Sequence, residues 1–338
     1  MSSIKRIKLD TTSEMVKICT HSGSFHADES LAVYLLKLLP KFKDAELIRS
    51  RNAVDWEQSD IVVDVSGKYD GVKYFDHHQR EFDTTFSSAY KTKLSSAGLI
   101  YKHFGKEIIQ EVLKIEDEAK VELLYQKVYK EFVESLDAND NGISNYSREI
   151  EQNKKFTDKH ITLPALVSNL NPSWIENPTD KDFDRQFLLS SELMGVSFLN
   201  LLKGYGNSWL PAKTIVEEAF NNRFNVDKSG EIIILNQFCP WKEHLYSIEK
   251  DNDAEGAIKF VLFKDSSNAW RISTVSLTSS SFEFRLGLVS EWRGLRDEQL
   301  SEKSGVEGCI FVHAAGFIGG AKSQEAVLKL AQLSLEKA

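Results

Sequence analysis

Four of the eight histidines lie between positions 21 and 78, in the segments HSGSFHADE and FDHHQ, and each of these segments also contains an aspartate. A further aspartate, Asp64, ends the apolar run IVVD between them. Imidazole and carboxylate groups together are typical ligands of Mn²⁺, Fe²⁺, Zn²⁺ or Co²⁺, whereas sites built from carboxylates alone favour Mg²⁺ or Ca²⁺. The pattern therefore predicts a site for divalent metal ions. The candidate ligands are His21, His26, Asp28, Asp64, Asp76, His77 and Asp137.

The number of candidate ligands predicts two ions rather than one. A single ion would leave several of these side chains unused, so we expect a binuclear centre in which Asp64 bridges the two ions. Such a pair activates water near neutral pH and stabilises the charge that develops during displacement at phosphorus. We therefore predict hydrolysis of a phosphoester or phosphoanhydride, with Asp76, His77 and His78 as the catalytic group. The predicted cofactors are two divalent ions, Mn²⁺ or Mg²⁺, and the imidazoles favour manganese.

Two acids compete for the last position among the ligands. Asp137 follows a run of apolar residues and would project from the end of a helix toward the sheet, whereas Asp140 lies in NDNG, a composition common in turns. We favour Asp137 for this reason. Glu29 is assigned to the start of a helix, where the helix dipole favours an acid, with a supporting role beside the metal as the alternative. The histidines assigned to ordinary hydrogen-bonded positions are His103, His160 and His244.

The elements that must hold the ligands alternate between short apolar runs and longer segments with helical spacing, which is typical of βαβ units and a parallel sheet. Ligands from separate strands then converge, since open α/β sheets place their sites at the carboxyl ends of neighbouring strands. The predicted strands are MVKICTHSG, AELIRSRN, DIVVDVSG and VKYFDHH, and the predicted helices are DESLAVYLLKLLP, SSAGLIYKHFG and the stretch 106–135. Residues 139–162 are polar and rich in turn residues, so we expect a loop there.

The second half of the chain predicts a separate domain. The helices FDRQFLLSSELMGVSFLNLLKGYG and AKTIVEEAFNNRF precede the strands EIIILNQF, IKFVLFKD, AWRISTVS and FEFRLGLV, and the glycine-rich VHAAGFIGGAKS leads into a last helix, EAVLKLAQLSLEK. We predict the α/β class, with a parallel sheet flanked by helices in the first domain and a mixed or antiparallel sheet in a smaller C-terminal domain. The predicted boundaries are a disordered tail at 1–14, the first domain at 15–205, a connecting helix at 206–228 and the C-terminal domain at 229–338.

Composition excludes several classes of protein. A formal net charge of −8 argues against nonspecific coating of nucleic acid, which needs a basic surface. Three distant cysteines without CxxC spacing argue against a disulfide framework or a cysteine zinc site. No apolar run is long enough to span a membrane, and the N-terminus lacks the apolar segment of a secretory signal. We therefore expect an intracellular protein with no membrane partner.

Seven segments together resemble the melanocyte-proliferating-gene (Myg) family of the DHH phosphoesterase superfamily, over almost the full chain and most closely its fungal members. The segments are HSGSFHADE, DVSG, DHHQ, SSAGLIYKHFG, DANDNG, EWRGLRDEQL and VHAAGFIGGAKS. The resemblance implies a DHH domain, a smaller substrate-binding domain and a metal-dependent 3′–5′ exonuclease that acts on single-stranded RNA ends in the nucleus, mitochondrion or cytoplasm. Its motifs fall on the ligands given above. His26 is expected within the Myg pattern, whereas many superfamily members have Asp there, with a spacing one residue shorter.

The resemblance also implies which C-terminal residues bind substrate. Glycines let the backbone approach a ligand closely, and the start of the following helix could meet a phosphate. An ordinary tight turn is the structural alternative for the same glycines. Trp270 and Trp292 could stack on bases, although we expect Trp270 in the core. The residues assigned to substrate are Arg285, Arg293, His313, Gly319, Gly320 and Lys322.

Three functions follow as alternatives. The first is the RNA exonuclease, which an open groove lined by Lys91, Lys93, Arg285 or Lys322 would support. The second is hydrolysis of a small phosphate compound such as a pyrophosphate, short oligonucleotide or cyclic dinucleotide, which the acidic net charge favours and a closed pocket would support. The third is a non-catalytic binding protein stabilised by metal, in which protein ligands would close the coordination sphere.

Overall fold

The computed structural model describes residues 15–153, 155–157 and 159–338, so the tail predicted at 1–14 lies outside the described residues. The chain folds into two compact units, of which the first ends at Gly204 and the second runs from Tyr205 to Ala338. In the part of the chain that the structure describes, no helix is both long enough and apolar enough to cross a membrane.

The first unit is built on a parallel sheet of four strands in the order β2-β1-β3-β4. The strands are β1 (Lys17–Thr20), β2 (Glu46–Arg49), β3 (Ile61–Val63) and β4 (Tyr74–Phe75). Ile18 pairs with both Leu47 and Ile61, so β1 lies inside the sheet. All three residues of β3 are buried, which agrees with the continuous apolarity of its sequence. The prediction of an α/β fold with a parallel sheet is confirmed, and the carboxyl ends of its strands meet at one edge.

Helices cover this sheet and fix the loops that follow its strands. The longer helices are α1 (Ala27–Lys37), α3 (Ser96–Leu113), α4 (Glu118–Val128), α5 (Glu134–Asp140) and α8 (Asp180–Gly204), and the short ones are α2 (Ala53–Glu57), α6 (Arg148–Gln152) and α7 (Leu163–Ser168). A π-helical turn at Tyr129–Val133 joins α4 to α5, and a 3-10 turn at Trp174–Glu176 precedes α8. Ser95 caps α3, since its hydroxyl accepts a hydrogen bond from the Gly98 amide at 3.3 Å. Helix α1 packs against α3 and α8.

The second unit contains a mixed sheet of five strands in the order β5-β6-β7-β9-β8. The strands are β5 (Ile232–Ile234), β6 (Phe260–Lys264), β7 (Trp270–Thr274), β8 (Cys309–Val312) and β9 (Ile318–Ala321). The helices are α9 (Leu210–Asn221), α10 (Arg223–Val226), α11 (Lys242–Asp251), α12 (Asp297–Ser304) and α13 (Gln324–Glu336), with a π-helical turn at Tyr205–Trp209 and a 3-10 turn at Ser290–Trp292. One apolar cluster contains residues of α13, and a second contains residues of α9 and α11. The predicted smaller α/β fold with a mixed sheet is confirmed.

Three segments differ from the sequence predictions. Helix α9, which we expected within a connector at 206–228, contributes Val216 and its neighbours to the core of the second unit. The segment FEFRLGLV is not a strand, because the amides of Arg285 and Leu288 donate to two separate parts of the chain and no continuous ladder forms. In the stretch 139–162, where we expected a loop, the short helix α6 forms.

Candidate metal centre

The carboxyl ends of the parallel strands bring most of the predicted ligands to one cleft. His21 follows β1, Asp64 follows β3 and His77 follows β4, while Asp28 lies in the first turn of α1. Asp140, the last residue of α5, joins them. The cleft has a volume of about 780 Å³, and all of these residues except His77 line it. Segments far apart in sequence therefore converge, as the topology of an open α/β sheet requires.

Asp64 lies between two groups of histidines. Its Oδ2 atom is 3.6 Å from Nε2 of His21, and its Oδ1 atom is 3.6 Å from Nε2 of His77 and 3.4 Å from Nδ1 of His78. The backbone of Asp64 has a φ of 57°, a left-handed conformation in which aspartate is several-fold enriched among the residues other than glycine. The two carboxylate oxygens thus face different imidazoles, which is the arrangement that a bridging ligand needs.

The structure places Asp140, and not Asp137, beside the histidines. Oδ2 of Asp140 is 2.9 Å from Nε2 of His77, and ligand atoms of both residues lie within 4.8 Å of one from Asp28. Asp137 is fully buried, and its Oδ1 accepts hydrogen bonds from the amide of Ser95 at 2.9 Å and from the Ser95 hydroxyl at 2.7 Å. The carboxylate of Asp137 thus holds the residue that caps α3, which favours Asp140 over the predicted Asp137 as the ligand from this helix.

The imidazole of His77 has no well-aligned hydrogen bond at its buried Nε2 atom. Asp140 and Asp64 place oxygens 2.9 and 3.6 Å from this nitrogen, yet no acceptor among the described residues has hydrogen-bond geometry toward it. When buried polar atoms serve only as hydrogen-bond partners of each other, the donor normally points at the acceptor. Atoms that are close but misaligned could instead all bind one cation located between them. The combination of imidazole and carboxylate groups fits a divalent ion such as manganese or zinc.

Several carboxylates lie close together in the metal centre. Burial, together with the negative charges of Asp140 and Asp64, raises the pKa of Asp28 well above its ordinary range. Burial alone would lower the pKa of His21, but hydrogen bonds to Asp64 and Glu29 outweigh it and raise that pKa to about 9. Clustered buried acids are costly unless positive charge compensates them. A divalent cation would supply that compensation.

The first residues of α3 hold two of the candidate ligands in place. The oxygens of Asp28 accept hydrogen bonds from the amides of Ala97 at 2.6 Å and Ser96 at 3.1 Å. The Ser96 hydroxyl donates to Oδ1 of Asp64 at 3.2 Å. A carboxylate at this end of a helix is also favoured by the helix dipole. Sequence reasoning missed this role, although the serine pair in SSAG at a predicted helix start was a usable signal.

Asp76 orients His78 and has no place among the three-residue groups that could hold an ion within the described residues. Its Oδ1 atom is 2.8 Å from Nδ1 of His78, and its Oδ2 atom accepts from the Gly67 amide at 2.6 Å. Burial opposes ionisation of Asp76, but these hydrogen bonds lower its pKa to about 2. The same contact raises the pKa of His78 to about 9. Both oxygens of Asp76 are therefore engaged by His78 and Gly67, which argues against its predicted role as a metal ligand.

Glu29 has two roles, of which the sequence favoured one. Its Oε1 atom accepts a hydrogen bond from the His26 amide at 2.7 Å and closes the capping box at the start of α1. The same oxygen is 3.0 Å from Nε2 of His21. Ligand atoms of His21, His26 and Glu29 lie within 4.8 Å of one another, and Glu29 is fully buried. The helix-start position thus also delivers an acid to the metal centre.

Basic residues on the wall of the cleft were not predicted from the sequence. Arg51, Lys159 and His160 line the cleft, and Nη2 of Arg51 is 3.2 Å from Nδ1 of His21. We had assigned His160 to an ordinary position. These residues belong to no motif, so only a fold could bring them together, and Arg51 and Lys159 give the cleft positive charge that suits an anionic ligand.

Two of the C-terminal predictions are explained by packing. The guanidinium of Arg285 pairs with both oxygens of Glu249 at 2.6 and 2.7 Å, and the Arg285 side chain is 7% exposed. The donors of Arg285 are used inside the second unit, which argues against its predicted role in substrate binding. Gly319 and Gly320 lie within β9, where a Cβ on Gly320 would be 3.2 Å from the carbonyl oxygen of Trp270 and 3.1 Å from the ring of Phe311. Close packing in the sheet accounts for this glycine.

The other C-terminal candidates have different surroundings. Nε of Arg293 donates to the carbonyl oxygen of Leu288 at 3.1 Å. Trp292 is 1% exposed within the core, which is incompatible with stacking on a base. His313 and Lys322 are exposed, so they remain accessible to a ligand.

A parallel α/β sheet that gathers imidazoles and carboxylates around Asp64 defines the class of this molecule, an α/β protein with a candidate divalent-metal centre. The family model described as MYG1_exonuc, Uncharacterised protein family (UPF0160), matches residues 17–335. The chain therefore belongs to the MYG1 exonuclease family.

Relatives in distant organisms match over nearly the whole chain. A MYG1 protein of Saccharomyces cerevisiae is 61% identical over 99% of this chain and 100% of its own length. The MYG1 exonuclease of Homo sapiens is 47% identical over 94% of this chain and 85% of its own length. Among solved structures, that of exonuclease RecJ bound to manganese aligns over 95% of this chain and 89% of that chain, with a TM-score of 0.22 and 13% identity. The family assignment rests on the sequence matches.

Proposed function

We propose that this protein is a divalent-metal-dependent nuclease, specifically a 3′–5′ exonuclease that acts on single-stranded RNA ends. The observation that carries the proposal is the convergence of His21, Asp64, His77 and Asp140 on one cleft, with a buried imidazole nitrogen that lacks an aligned hydrogen bond. The relatives from human and cattle bear the name MYG1 exonuclease, which supports the same class of reaction for this chain.

Two divalent cations fit the residues of this centre. Asp64 would serve both, since its oxygens face separate imidazoles. Cations held in this way supply Lewis acidity, which activates water near neutral pH and neutralises charge on a phosphodiester. The residues that would hold them are His21, His26, Asp28, Glu29, Asp64, His77 and Asp140.

The remaining residues of the cleft would position the substrate. The ring of His78 is 63% exposed, lines the cleft and is fixed by Asp76, so it can donate a hydrogen bond to a phosphate oxygen. Arg51 and Lys159 would balance the charge of the phosphate groups. Donors fixed in advance around a reacting phosphate lower the barrier, because they need no reorganisation during the reaction.

A direct assay tests the proposal. Single-stranded RNA with a 5′ label should be shortened stepwise from its 3′ end in the presence of Mn²⁺ or Mg²⁺, and a chelator should stop the reaction until metal is restored. Combined Asp76→Ala and His77→Ala should abolish shortening, whereas Asp83→Asn, at an exposed acid that does not line the cleft, should retain it. Equal activity in the double variant, or digestion from the 5′ end, would contradict the proposal.

The volume of the cleft and the contacts of Lys93 and Arg285 favour a second candidate, hydrolysis of a small phosphate compound. A volume of about 780 Å³ lies within the range of small-molecule pockets. Lys93 and Arg285 were expected along an RNA groove. The ammonium of Lys93 instead donates a hydrogen bond to the carbonyl oxygen of Phe82 at 2.7 Å, and Arg285 is buried in an ion pair. A length series separates the two candidates. Faster hydrolysis of pyrophosphate or a dinucleotide than of longer RNA would favour the second.

A further inference from the structure

A second cavity opens beside the metal cleft in the first unit, and we call it the side pocket. It has a volume of about 380 Å³ and shares Leu136, Asn139, Thr162 and Pro164 with the wall of the cleft. Leu136 and Asp140 are four residues apart on α5, so they lie about one helical turn from each other on the same face. The side pocket therefore adjoins the cleft along these residues, and Leu136 lies about one helical turn from a candidate metal ligand.

The side pocket combines an apolar surface with side-chain amides. Phe132 and Leu136 contribute apolar surface, and the ring of Phe132 is held by an edge-to-face contact with Phe198 at 5.9 Å. Asn139 and Asn145 supply amide donors and acceptors. Proteins recognise the bases of single-stranded RNA with this combination, in which an aromatic ring stacks on the base and amides meet its edges.

Charge distinguishes the side pocket from the cleft. The charged residues that line it are Glu131, which pairs with Lys127 at 2.6 Å, and Glu151. No lysine or arginine lines it within the described part of the chain, whereas Arg51 and Lys159 line the cleft. A second phosphate would thus be disfavoured in the side pocket. A neutral base would not, and its amino groups could donate to a carboxylate.

The wall of the side pocket includes an irregular helix. The π-helical turn Tyr129–Val133 contains Phe132 and leads directly into α5. Such turns insert an extra residue into a helix and occur frequently at functional sites. Phe132, within this turn, lines the side pocket, and Asp140, at the end of α5, lines the cleft.

We infer that the side pocket binds the base of the nucleotide whose phosphodiester lies at the metal centre. This inference deepens the proposed function and rests on it for the reaction, although binding of a base can be measured without turnover. The volume of about 380 Å³ suits one base with its sugar and not a longer piece of chain. The ligand class is a nucleoside monophosphate or the terminal nucleotide of an RNA strand.

Kinetics on two matched substrates test the inference. RNA that ends in an ordinary nucleotide should be hydrolysed with a kcat/KM about 10-fold above that of the same RNA with an abasic terminal residue, since stacking on an aromatic ring favours a base by roughly this factor. Ser135→Trp, at an exposed position that lines the side pocket, should fill it and bring the ratio close to one. Ser88→Trp, at an exposed serine that lines neither cavity, should keep the ratio. Asn145→Ala should lower it in part.

Binding measurements separate this inference from the proposed function. Calorimetry with Mn²⁺ present should show that adenosine monophosphate binds about 10-fold more tightly than ribose 5-phosphate to the wild type, and equally to Ser135→Trp. If no RNA is hydrolysed but this preference appears and is lost in Ser135→Trp, the proposed function fails and the base site stands. Equal binding of both ligands to the wild type, or an unchanged preference in folded Ser135→Trp and Asn145→Ala, would overturn the inference.

Discussion

In the first unit His77 and Asp140 lie 2.9 Å apart without an aligned hydrogen bond, whereas in the second unit Arg285 and Glu249 form a bidentate pair at 2.6 and 2.7 Å. Both contacts involve ionisable residues with little solvent exposure. In the second unit each partner satisfies the other, so the contact needs no further explanation. In the first unit the buried Nε2 atom of His77 has no aligned acceptor in the residues that the structure describes, which fits a role as a metal ligand. Alignment, and not proximity alone, therefore distinguishes the His77–Asp140 contact from the Arg285–Glu249 pair.

The largest expected effect is at the centre of the first unit. Asp64→Asn keeps the size of the side chain but removes the charge that both imidazole groups face, so kcat/KM should fall about 1000-fold, the upper range for removal of one electrostatic stabiliser. The bound metal, measured by mass spectrometry, should fall with it. Asp83→Asn serves as the matched control. Full metal content and activity in Asp64→Asn would remove the contrast between the units.

The pair in the second unit should respond in stability instead. Arg285→Met leaves Glu249 buried without its partner, so the free energy of unfolding should fall by at least about 3 kcal/mol. The double variant Arg285→Met with Glu249→Leu should recover much of this loss, because no buried charge remains. Thermal or denaturant unfolding provides the measurement. A raised KM with unchanged stability in Arg285→Met would restore this residue to the substrate site.

Asp137 and Asp140 allow the same contrast within one helix. Asp137→Ala leaves the amide and hydroxyl of Ser95 without their acceptor, so stability should fall by about 2 kcal/mol. Asp140→Ala should leave the stability of the metal-free protein within about 0.5 kcal/mol and weaken metal binding. Unfolding curves recorded with and without Mn²⁺ measure both effects. The reverse pattern would mean that Asp137 is the ligand after all.

The smallest effect concerns the second unit's exposed histidine. His313→Ala should lower the melting temperature only slightly, because the side chain is exposed and the hydrogen bond that it accepts from the Ala315 amide, at 3.1 Å, contributes little net stability. If His313 contributes one hydrogen bond to substrate, as the family resemblance implies, KM for RNA should rise about 2- to 10-fold while kcat stays the same. Steady-state kinetics provide the measurement, and an unchanged KM would exclude a substrate contact by His313.

The positions of His21, Asp28, Asp64 and His77 could be predicted because strand ends are visible in sequence. Short apolar runs mark the strands, and parallel strands necessarily end at the same edge of a sheet. Arg51 and Lys159 could not be found in this way. They lie in segments without periodicity, and only the folded chain brings them to the cleft.

Burial alone could not decide between Asp137 and Asp140. Asp137 is fully buried, as its apolar neighbours predicted, but its carboxylate accepts hydrogen bonds from Ser95 and does not pair with the histidines in the way that Asp140 does. The strand predicted for FEFRLGLV is absent for a different reason. Its alternation matches a strand, yet Phe282 is 99% exposed and Arg285 turns inward to Glu249. The local pattern could not reveal that Arg285 would pair with Glu249, a buried acid on α11.

The left-handed backbone of Asp64 has a consequence for evolution in the laboratory. A residue with a side chain loses roughly 1 kcal/mol in this conformation, and glycine escapes the penalty. A library at codon 64 selected for thermal tolerance should accumulate glycine or asparagine, whereas selection for growth that depends on the enzyme should return aspartate. Divergent winners under the two regimes would show that this backbone is maintained for chemistry at the expense of robustness.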